Sequence, residues 1–486
     1  MEKITIDPIT RLEGHGKIDI FLDEKGNVAD AYLQIPELRG FEKFCQGRPV
    51  EEMPRITSRI CGVCPEAHLM ASAKACDAVY HMDIPQTAKL LRELLYMIFY
   101  VTDHTTHFYA LAGPDFVVGP DAPKAQRNIL GVIHKVGVEI GGKVVGLRGM
   151  CHELIKKMGG KTVHPVGAMP GGMSIGMTKE LQEEILNSGK EAVEFAKFTI
   201  QLFNDIVLKN KAYVDLILSD MFTHQTYNMG LVDENNHVNF YDGDIRVVGP
   251  DGKEFVKFKS SEYLDHIEEH VEPWSYLKFP FLKKVGWKGF VDGPASGIYK
   301  ATPLSRLNAS DGMATPLANE EHDRMYKTLG GKPVNQTLAT HWARIIELLY
   351  AAERWVELVS DPEITGSDYR AVPTETPDEG IGVVEAPRGT LYHHYKTDSN
   401  GMIKEANLIV GTTNNNAPIN LSVKKAAQGL IKDGKVNDGL LNMVEMAFRA
   451  YDPCFGCATH TLPGQMPLII NVYDQDKTHI DTLRRD

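Results

Sequence analysis

Two Cys-x-x-Cys pairs, Cys61/Cys64 and Cys454/Cys457, stand near opposite ends of the 486-residue chain. The first lies in Arg59-Ile60-Cys61-Gly62-Val63-Cys64-Pro65-Glu66-Ala67-His68, the second in Asp452-Pro453-Cys454-Phe455-Gly456-Cys457-Ala458-Thr459-His460. A Cys-x-x-Cys turn aims two sulfurs at one point, so two such turns can surround one metal site with four thiolates. Thiolates are soft ligands, and four of them suit zinc, iron–sulfur or nickel. By cysteine spacing alone, a structural zinc site is as good a reading as any other. Two features turn the reading away from it. Pairs that staple a structural zinc usually sit close together, whereas most of this chain separates these. Each loop also carries further chemistry: Arg59 and His68 around the first pair, Asp452 and His460 around the second.

The elements that must bring such distant loops together follow from pattern. Residues 16–36 read as a β-hairpin, KIDIFL and VADAYLQI about a turn at Glu24-Lys25-Gly26-Asn27. From residue 85 the apolar spacing turns helical: Leu90, Leu91, Leu94, Leu95, Ile98 and Phe99 share one face. Further helices are expected near 121–158, 178–220, 335–359 and 440–450, with long apolar faces that suit a bundle. Residues 236–258 alternate as strands around Gly249-Pro250-Asp251-Gly252, and a second hairpin is expected at 390–411, turning at Ser399-Asn400-Gly401. The expected fold class is α-rich α+β, a large helical bundle with peripheral β-hairpins. A single domain spans 1–460, with a β-rich excursion about 232–300 and a C-terminal tail at 461–486.

Composition narrows the class. With 43% hydrophobic and 24% charged residues, the chain has ordinary globular composition and ample core. A net charge of −12 argues against a nucleic-acid partner, which needs clustered Lys and Arg. No basic-then-apolar N-terminal stretch reads as an export signal. The longest strongly apolar run, Leu94 to Val101, is far short of the ~18 residues of a membrane span. Seven cysteines, an odd number, suggest a reducing cytoplasm in which thiolates serve metal. Cys45, Cys76 and Cys151 have no partner at metal spacing and read as small buried apolar residues.

The two cysteine motifs, R-x-C-G-x-C-x-x-x-H and D-P-C-x-x-C-x-x-H, resemble those of the large subunit of nickel–iron hydrogenases. Three more segments resemble that family in the same order: Asp7-Pro8-Ile9-Thr10-Arg11-Leu12-Glu13-Gly14-His15, Arg39-Gly40-Phe41-Glu42 and Glu385-Ala386-Pro387-Arg388-Gly389. The likeness spans the whole chain and is greatest for the methyl-viologen-reducing (deazaflavin-non-reducing) hydrogenases of methanogens. NAD(P)- or deazaflavin-linked members of the same cytoplasmic group are the alternative.

The resemblance implies heterolytic cleavage of dihydrogen at a nickel–iron centre whose iron carries cyanide and carbon monoxide. Cys61 and Cys454 would be terminal on nickel, and Cys64 and Cys457 would bridge to iron. Glu13, by itself a solvated charge, matches the carboxylate that takes a proton from Cys454. Arg388 matches a guanidinium held above the metal pair, with Pro387 shaping its turn and Asp103 and Asp452 flanking it. His68 would support the first cysteine loop by hydrogen bonding. Glu42 and His460 match ligands of a separate magnesium or iron. An iron–sulfur small subunit is implied because no cysteines remain here for a cluster chain. An electron-transfer subunit is implied beyond it, with a heterodisulfide reductase complex as one form, and so is a maturation protease that removes the tail after His460. Two rivals remain: a non-catalytic relative of the same fold, which would lack the four cysteines, and a zinc-stabilised scaffold protein.

Overall fold

The computed structural model describes residues 3–459, 468–474 and 478–485. Helix α1 (Pro65–Val79) starts directly behind the first cysteine pair, with Pro65 in its first turn, where a missing N–H costs nothing. Sequence pattern gave no sign of it, because nearly every side chain on it is buried and no polar face marks a period. Helix α2 (Gln86–Thr106) is the helix expected from residue 85, and it runs on into π-helical turns at His107–Ala112 and Pro114–Val118. The span expected as one helix over 121–158 is two, Ile129–Val136 and α3 (Val138–Gly159), broken at Gly137 with φ 94°. Likewise 178–220 divides into α4 (Lys179–Phe203), a π-turn at Asn204–Leu208 and a short helix at Lys211–Ile217. Next come α5 (Pro303–Ala309), α6 (Thr340–Ser360), α7 (Asn416–Leu430) and α8 (Asp438–Arg449). Helix α6 is almost wholly buried and packs on both α2 and α4, forming the centre of the bundle.

Strands β1 (Lys3–Ile6), β2 (Lys17–Leu22) and β3 (Val28–Gln34) form an antiparallel sheet in that order, and β2–β3 is the expected N-terminal hairpin. Its inner residues Ile18, Ile20 and Leu33 are fully buried. The β-rich excursion holds β4 (Tyr227–Val232), β5 (Asp244–Val248) and β6 (Glu254–Phe258), with shorter strands alongside. A three-stranded meander, β7 (Glu379–Ala386), β8 (Gly389–Thr397) and β9 (Ile403–Ile409), contains the second expected hairpin as β8–β9. Strand β7 was not expected. It pairs with β8 in full register, so that Ala386 faces Gly389 and Pro387-Arg388 form the hairpin tip.

Helix α1 lies on β7 and β8 at backbone distance. Two glycines of β7 allow this. A Cβ on Gly382 would stand 2.0 Å from the Ala71 carbonyl oxygen and 2.4 Å from the Ala75 nitrogen. One on Gly380 would meet the Val79 nitrogen at 2.3 Å. The spacing of helix and sheet therefore sets the height of the first cysteine loop above the Arg388 hairpin. Within the tail expected at 461–486, Leu468–Tyr473 pairs with His479–Arg485 as an antiparallel hairpin.

Because the atoms that a Gly382→Ala methyl meets are backbone, α1 must move off the sheet. The expected cost is about 1–3 kcal/mol, as for other overpacked core sites. Calorimetry should show a lowered Tm, and an unchanged Tm would mean that the helix is free to shift.

Candidate metal centre

The four cysteine sulfurs meet. All lie within 4.8 Å of one another and all four residues are buried. Cys61 Sγ is 3.4 Å from Cys454 Sγ, Cys64 Sγ is 3.7 Å from Cys457 Sγ, and the two sulfurs of the second pair are 2.9 Å apart. The first loop is shaped by its own backbone, Val63 and Cys64 donating N–H bonds to Cys61 Sγ, whereas in the second the Cys454 N–H donates to the Thr412 side chain, Oγ1 at 3.0 Å.

Three contacts hold the distant loops in register. Residue Glu13 forms a parallel β-bridge with Cys454, in which the Phe455 N–H donates to the Glu13 carbonyl at 3.0 Å. The Glu13 carboxylate lies 3.0 Å from Cys454 Sγ and accepts the Gly456 N–H at 2.9 Å. Gly456 is required there, since a Cβ would stand 2.6 Å from Glu13 Oε1. Arg11 ties the same N-terminal segment to the bundle, joining Arg449 of α8 on the buried Asp115. Burial pushes Asp115 up, but the two guanidiniums outweigh it and hold the carboxyl below its ordinary range. The third contact was not legible in the sequence: Arg39 donates to carbonyls of both cysteine loops, Gly456 at 3.0 Å and Arg59 at 3.3 Å, and also to Ile60.

Arg388 projects from the β7–β8 hairpin over this cluster. Its Nη1 donates to Asp103 Oδ2 at 3.0 Å, and its Nη2 lies 2.8 Å from Asp452 Oδ2. All three residues are at most 4% exposed. Burial raises both carboxyls, and Arg388 only partly offsets it. Sequence reasoning missed Arg306 of α5, which is fully buried beneath the hairpin. It donates to the carbonyls of Ala386 at 2.7 Å and Pro387 at 3.2 Å, and to the carboxylates of Glu347 and Glu385. Asn415 holds the Arg388 carbonyl at 2.7 Å. No spacing rule links residue 306 to 386, so only the fold reveals the pair.

Electrostatics favour one negative sulfur in the bare cluster. Burial pushes the Cys61 thiol up, but hydrogen bonds with Cys454, Cys457 and Cys64 and the Arg388 charge outweigh it and hold Cys61 well below its ordinary range. At Cys64, bonds with Cys454 and Cys457 favour the thiolate, yet contact with Cys61 and burial push it up to about 11. Cys454 and Cys457 are pushed up chiefly by burial. A divalent ion reverses this order, because a ligating thiol gives up its proton.

The residues fit a nickel–iron pair. Four soft sulfurs converge, and a small cavity beside Cys64, Cys454 and Cys457 is walled by Ala386, Leu391 and Val410. His68 and Arg388 also line it, and His68 Nε2 and Arg388 Nε are buried without hydrogen-bond partners among the described residues. His68 is thus beside the cluster. Glu42 lies apart from it, with Oε1 accepting the Leu408 N–H at 2.7 Å. His460 lies outside the described residues. Among the described residues the four cysteines are the one group of metal-ligand type found converging. No helix is long and apolar enough to cross a membrane.

Comparison with known proteins agrees with this geometry. A family model described as nickel-dependent hydrogenase matches residues 39–135 and 145–460, and a second, described as HoxL-like, matches 3–38. The chain is 50% identical to an F420-non-reducing hydrogenase iron-sulfur subunit of Archaeoglobus profundus over the full length of both. It is 41% identical to an F420-non-reducing hydrogenase subunit of Methanothermobacter marburgensis, covering 98% of each chain. Among solved structures, the crystal structure of an NAD+-reducing [NiFe]-hydrogenase in the H2-reduced state superposes with a TM-score of 0.88. That chain is 35% identical and is covered in full by 95% of this one.

Arg39→Met keeps the stem and the backbone bond to Thr459 but removes every guanidinium bond to the two loops. The expected loss is about 1–2 kcal/mol of stability, the usual worth of such hydrogen bonds at a partly exposed site. Elemental analysis should show nickel retained less well than in wild type after dialysis against chelator, whereas equal retention would make Arg39 incidental.

Proposed function

The chain belongs to the nickel-dependent hydrogenase family, and we propose the part that each side chain plays in it. It is the catalytic large subunit of a nickel–iron hydrogenase, an oxidoreductase acting on dihydrogen. The relatives named as F420-non-reducing hydrogenases agree with the subgroup that the motifs resemble. When bound, the nickel–iron pair supplies the centre at which dihydrogen is polarised and split.

One observation carries the proton route: Cys454 Sγ lies 3.0 Å from Glu13 Oε2. In this reading Cys61, Cys64, Cys454 and Cys457 would hold the pair, Cys61 and Cys454 as terminal ligands and Cys64 and Cys457 as bridging ones. The Cys454 sulfur accepts the proton from dihydrogen and passes it to Glu13. Glu13 is only half-buried and neighbours the exposed His15–Glu37 pair, so it connects a dry cluster to water. Arg388 keeps a fixed positive charge beside the cluster in a water-poor pocket, where such a charge acts most strongly. Asp103 and Asp452 aim its planar fork, and Pro387 fixes the tip from which it projects.

Two electrons leave for every dihydrogen cleaved, and their exit is through an iron–sulfur small subunit. The supporting surface lies at the first cysteine loop, where Gly62 and Val63 are exposed. They border a cleft also lined by Arg148, His152 and Ile155 of α3. Farther along α3, Val138 is 80% exposed and Val145 is 69% exposed, adding apolar surface on the same helix. A partner docked there stands close to the thiolates. Beyond it we place an electron-transfer subunit, of the heterodisulfide reductase kind in the methanogen-type complex. Glu42 and His460 would hold the second metal, magnesium or iron. The free cysteines, with no disulfide among the described residues, suit a cytoplasmic enzyme. The tail beyond His460 would be removed by a maturation protease, and the matched family region ends at residue 460.

Three measurements test these assignments. Glu13→Gln keeps shape and hydrogen bonding but removes the titratable group, so metal content should hold while hydrogen–deuterium exchange with solvent collapses. Normal exchange in that variant would refute the route, because the assay needs no electron acceptor. Arg388→Lys keeps the charge but loses the fork. Turnover should fall at least ~tenfold, about 1.4 kcal/mol on the barrier, with nickel retained. Finally, intact-mass measurement of active enzyme should find a chain ending at His460, and a mass that includes Asp486 would refute removal of the tail.

A further inference from the structure

The central helix α6 buries a cation that neither the proton route nor the Arg388 hairpin accounts for. His341, Arg344 and Glu347 are spaced three apart on it and so share one face. Glu347 pairs with Arg306 and lies 3.0 Å from His104 of α2. His341 stacks on His107, with ring centroids 5.5 Å apart. Arg344, between them in sequence, is fully buried. Its Nη2 donates to the Ala450 carbonyl at 3.1 Å. The preceding carbonyl, that of Arg449, lies 3.0 Å from His107 Nε2. Both carbonyls stand at the C-terminal end of α8, where unpaired carbonyls gather and a cation is favoured. From there the chain turns through Asp452, held in the left-handed region at φ 54°, and reaches Cys454 two residues later.

Capping a helix explains little of Arg344. A neutral amide could serve one carbonyl, whereas a buried charge without a partner is costly. Among the described residues Arg344 has no ion-pair partner, and its Nε and Nη1 are buried without hydrogen bonds. Two acceptors share that condition: Asp103 Oδ1 and Asp452 Oδ2 are buried without hydrogen bonds among the described residues. Burial pulls Arg344 down to about 10, and Asp452 and Glu347 are the acids that most oppose it, so the guanidinium stays charged. Burial pulls His341 down to about 3 and lowers His107 as well, so neither ring adds charge. Open donors and open acceptors that do not reach one another in a dry region call for water between them.

We propose that Arg344 is a positioning residue: through ordered water on its Nε and Nη1 it holds Asp452 in place, so that Asp452 and Asp103 together aim Arg388 at the cluster. Arg388 offers one positive charge to two acids, and Arg344 supplies the second. This rests on the reading that the cluster holds a nickel–iron pair on which Arg388 acts.

Two substitutions in the assembled holoenzyme separate this role from a helix cap. Arg344→Gln keeps an amide donor for the Ala450 carbonyl but removes the charge. Arg344→Lys keeps the charge but loses the fork. Arg344→Gln should retain nickel and the wild-type KM for a viologen dye, while kcat falls at least ~tenfold. Arg344→Lys should stay within about threefold of wild type. Wild-type kcat in Arg344→Gln would reduce Arg344 to a cap and overturn the proposal, as would a Lys variant no better than Gln. Asp452→Asn should also lower kcat, and adding Arg344→Gln should lower it no further, because both act through one carboxylate. Losses that multiply would place Arg344 elsewhere. If Arg344→Gln takes up no nickel, Arg344→Lys decides: kcat within about threefold of wild type supports the role of the charge, and a greater loss overturns it. A high-resolution crystal structure of the wild-type protein gives a check without activity. Ordered water within hydrogen-bonding distance of both Arg344 and Asp452 is expected, and a dry gap would overturn the proposal. Zinc in place of nickel in the wild-type enzyme would instead overturn the underlying reading.

Discussion

Everything in this fold answers to one distance constraint. Sulfurs from loops at opposite ends of the chain must come within 4.8 Å of one another and stay there in the dry interior. Two backbone devices meet it. The β-bridge between Glu13 and Cys454 fastens the N-terminal segment to the second loop, and Arg39 grips carbonyls of both loops at once. Neither device is strong by itself, since single hydrogen bonds contribute about 1 kcal/mol net. Their effect lies in geometry. They leave four sulfurs crowded together, an arrangement that is poor without a metal and good with one.

The buried charges around the site are arranged on the same principle. Arg388 faces two carboxylates, and Arg306 beneath it faces Glu347 and Glu385. Buried ion pairs are weak as stabilisers, because desolvation cancels much of their attraction, but losing one partner leaves an unpaired charge that costs about 3–5 kcal/mol. The two arginines therefore resist displacement more than they stabilise the fold. Arg306 grips the carbonyls on the N-terminal side of Arg388, and Asn415 grips that of Arg388 itself. The hairpin tip is pinned from below while its guanidinium is pinned from the side.

How much of this was legible depended on the kind of signal. Helix α2 and the hairpins β2–β3 and β8–β9 announced themselves through periodicity and turn residues. Helix α1 and strand β7 did not, because each is buried on all sides and carries no alternation of polar and apolar residues. The four cysteines could be read from spacing, and Glu13 and Arg388 only from their motifs. Arg39 lay in a quoted motif without a role. Arg306 was invisible because its partners are distant in sequence and its type is common. Pattern reports what repeats along the chain, whereas these residues matter for what they meet across it.

The bridge between residue 13 and residue 454 also sets a schedule. A ribosome adds roughly 5–20 residues per second, so the second cysteine pair follows the first by roughly 20–80 s. Through that interval Cys61 and Cys64 can be only half of a site. Helix α1 is in the same position, since it rests on β7 and β8, which are also made late. The metal centre therefore cannot take shape before the second pair is made. The first loop must wait, open and half-built, until the segment that completes it arrives, so metal insertion belongs to a step that follows synthesis of residue 457.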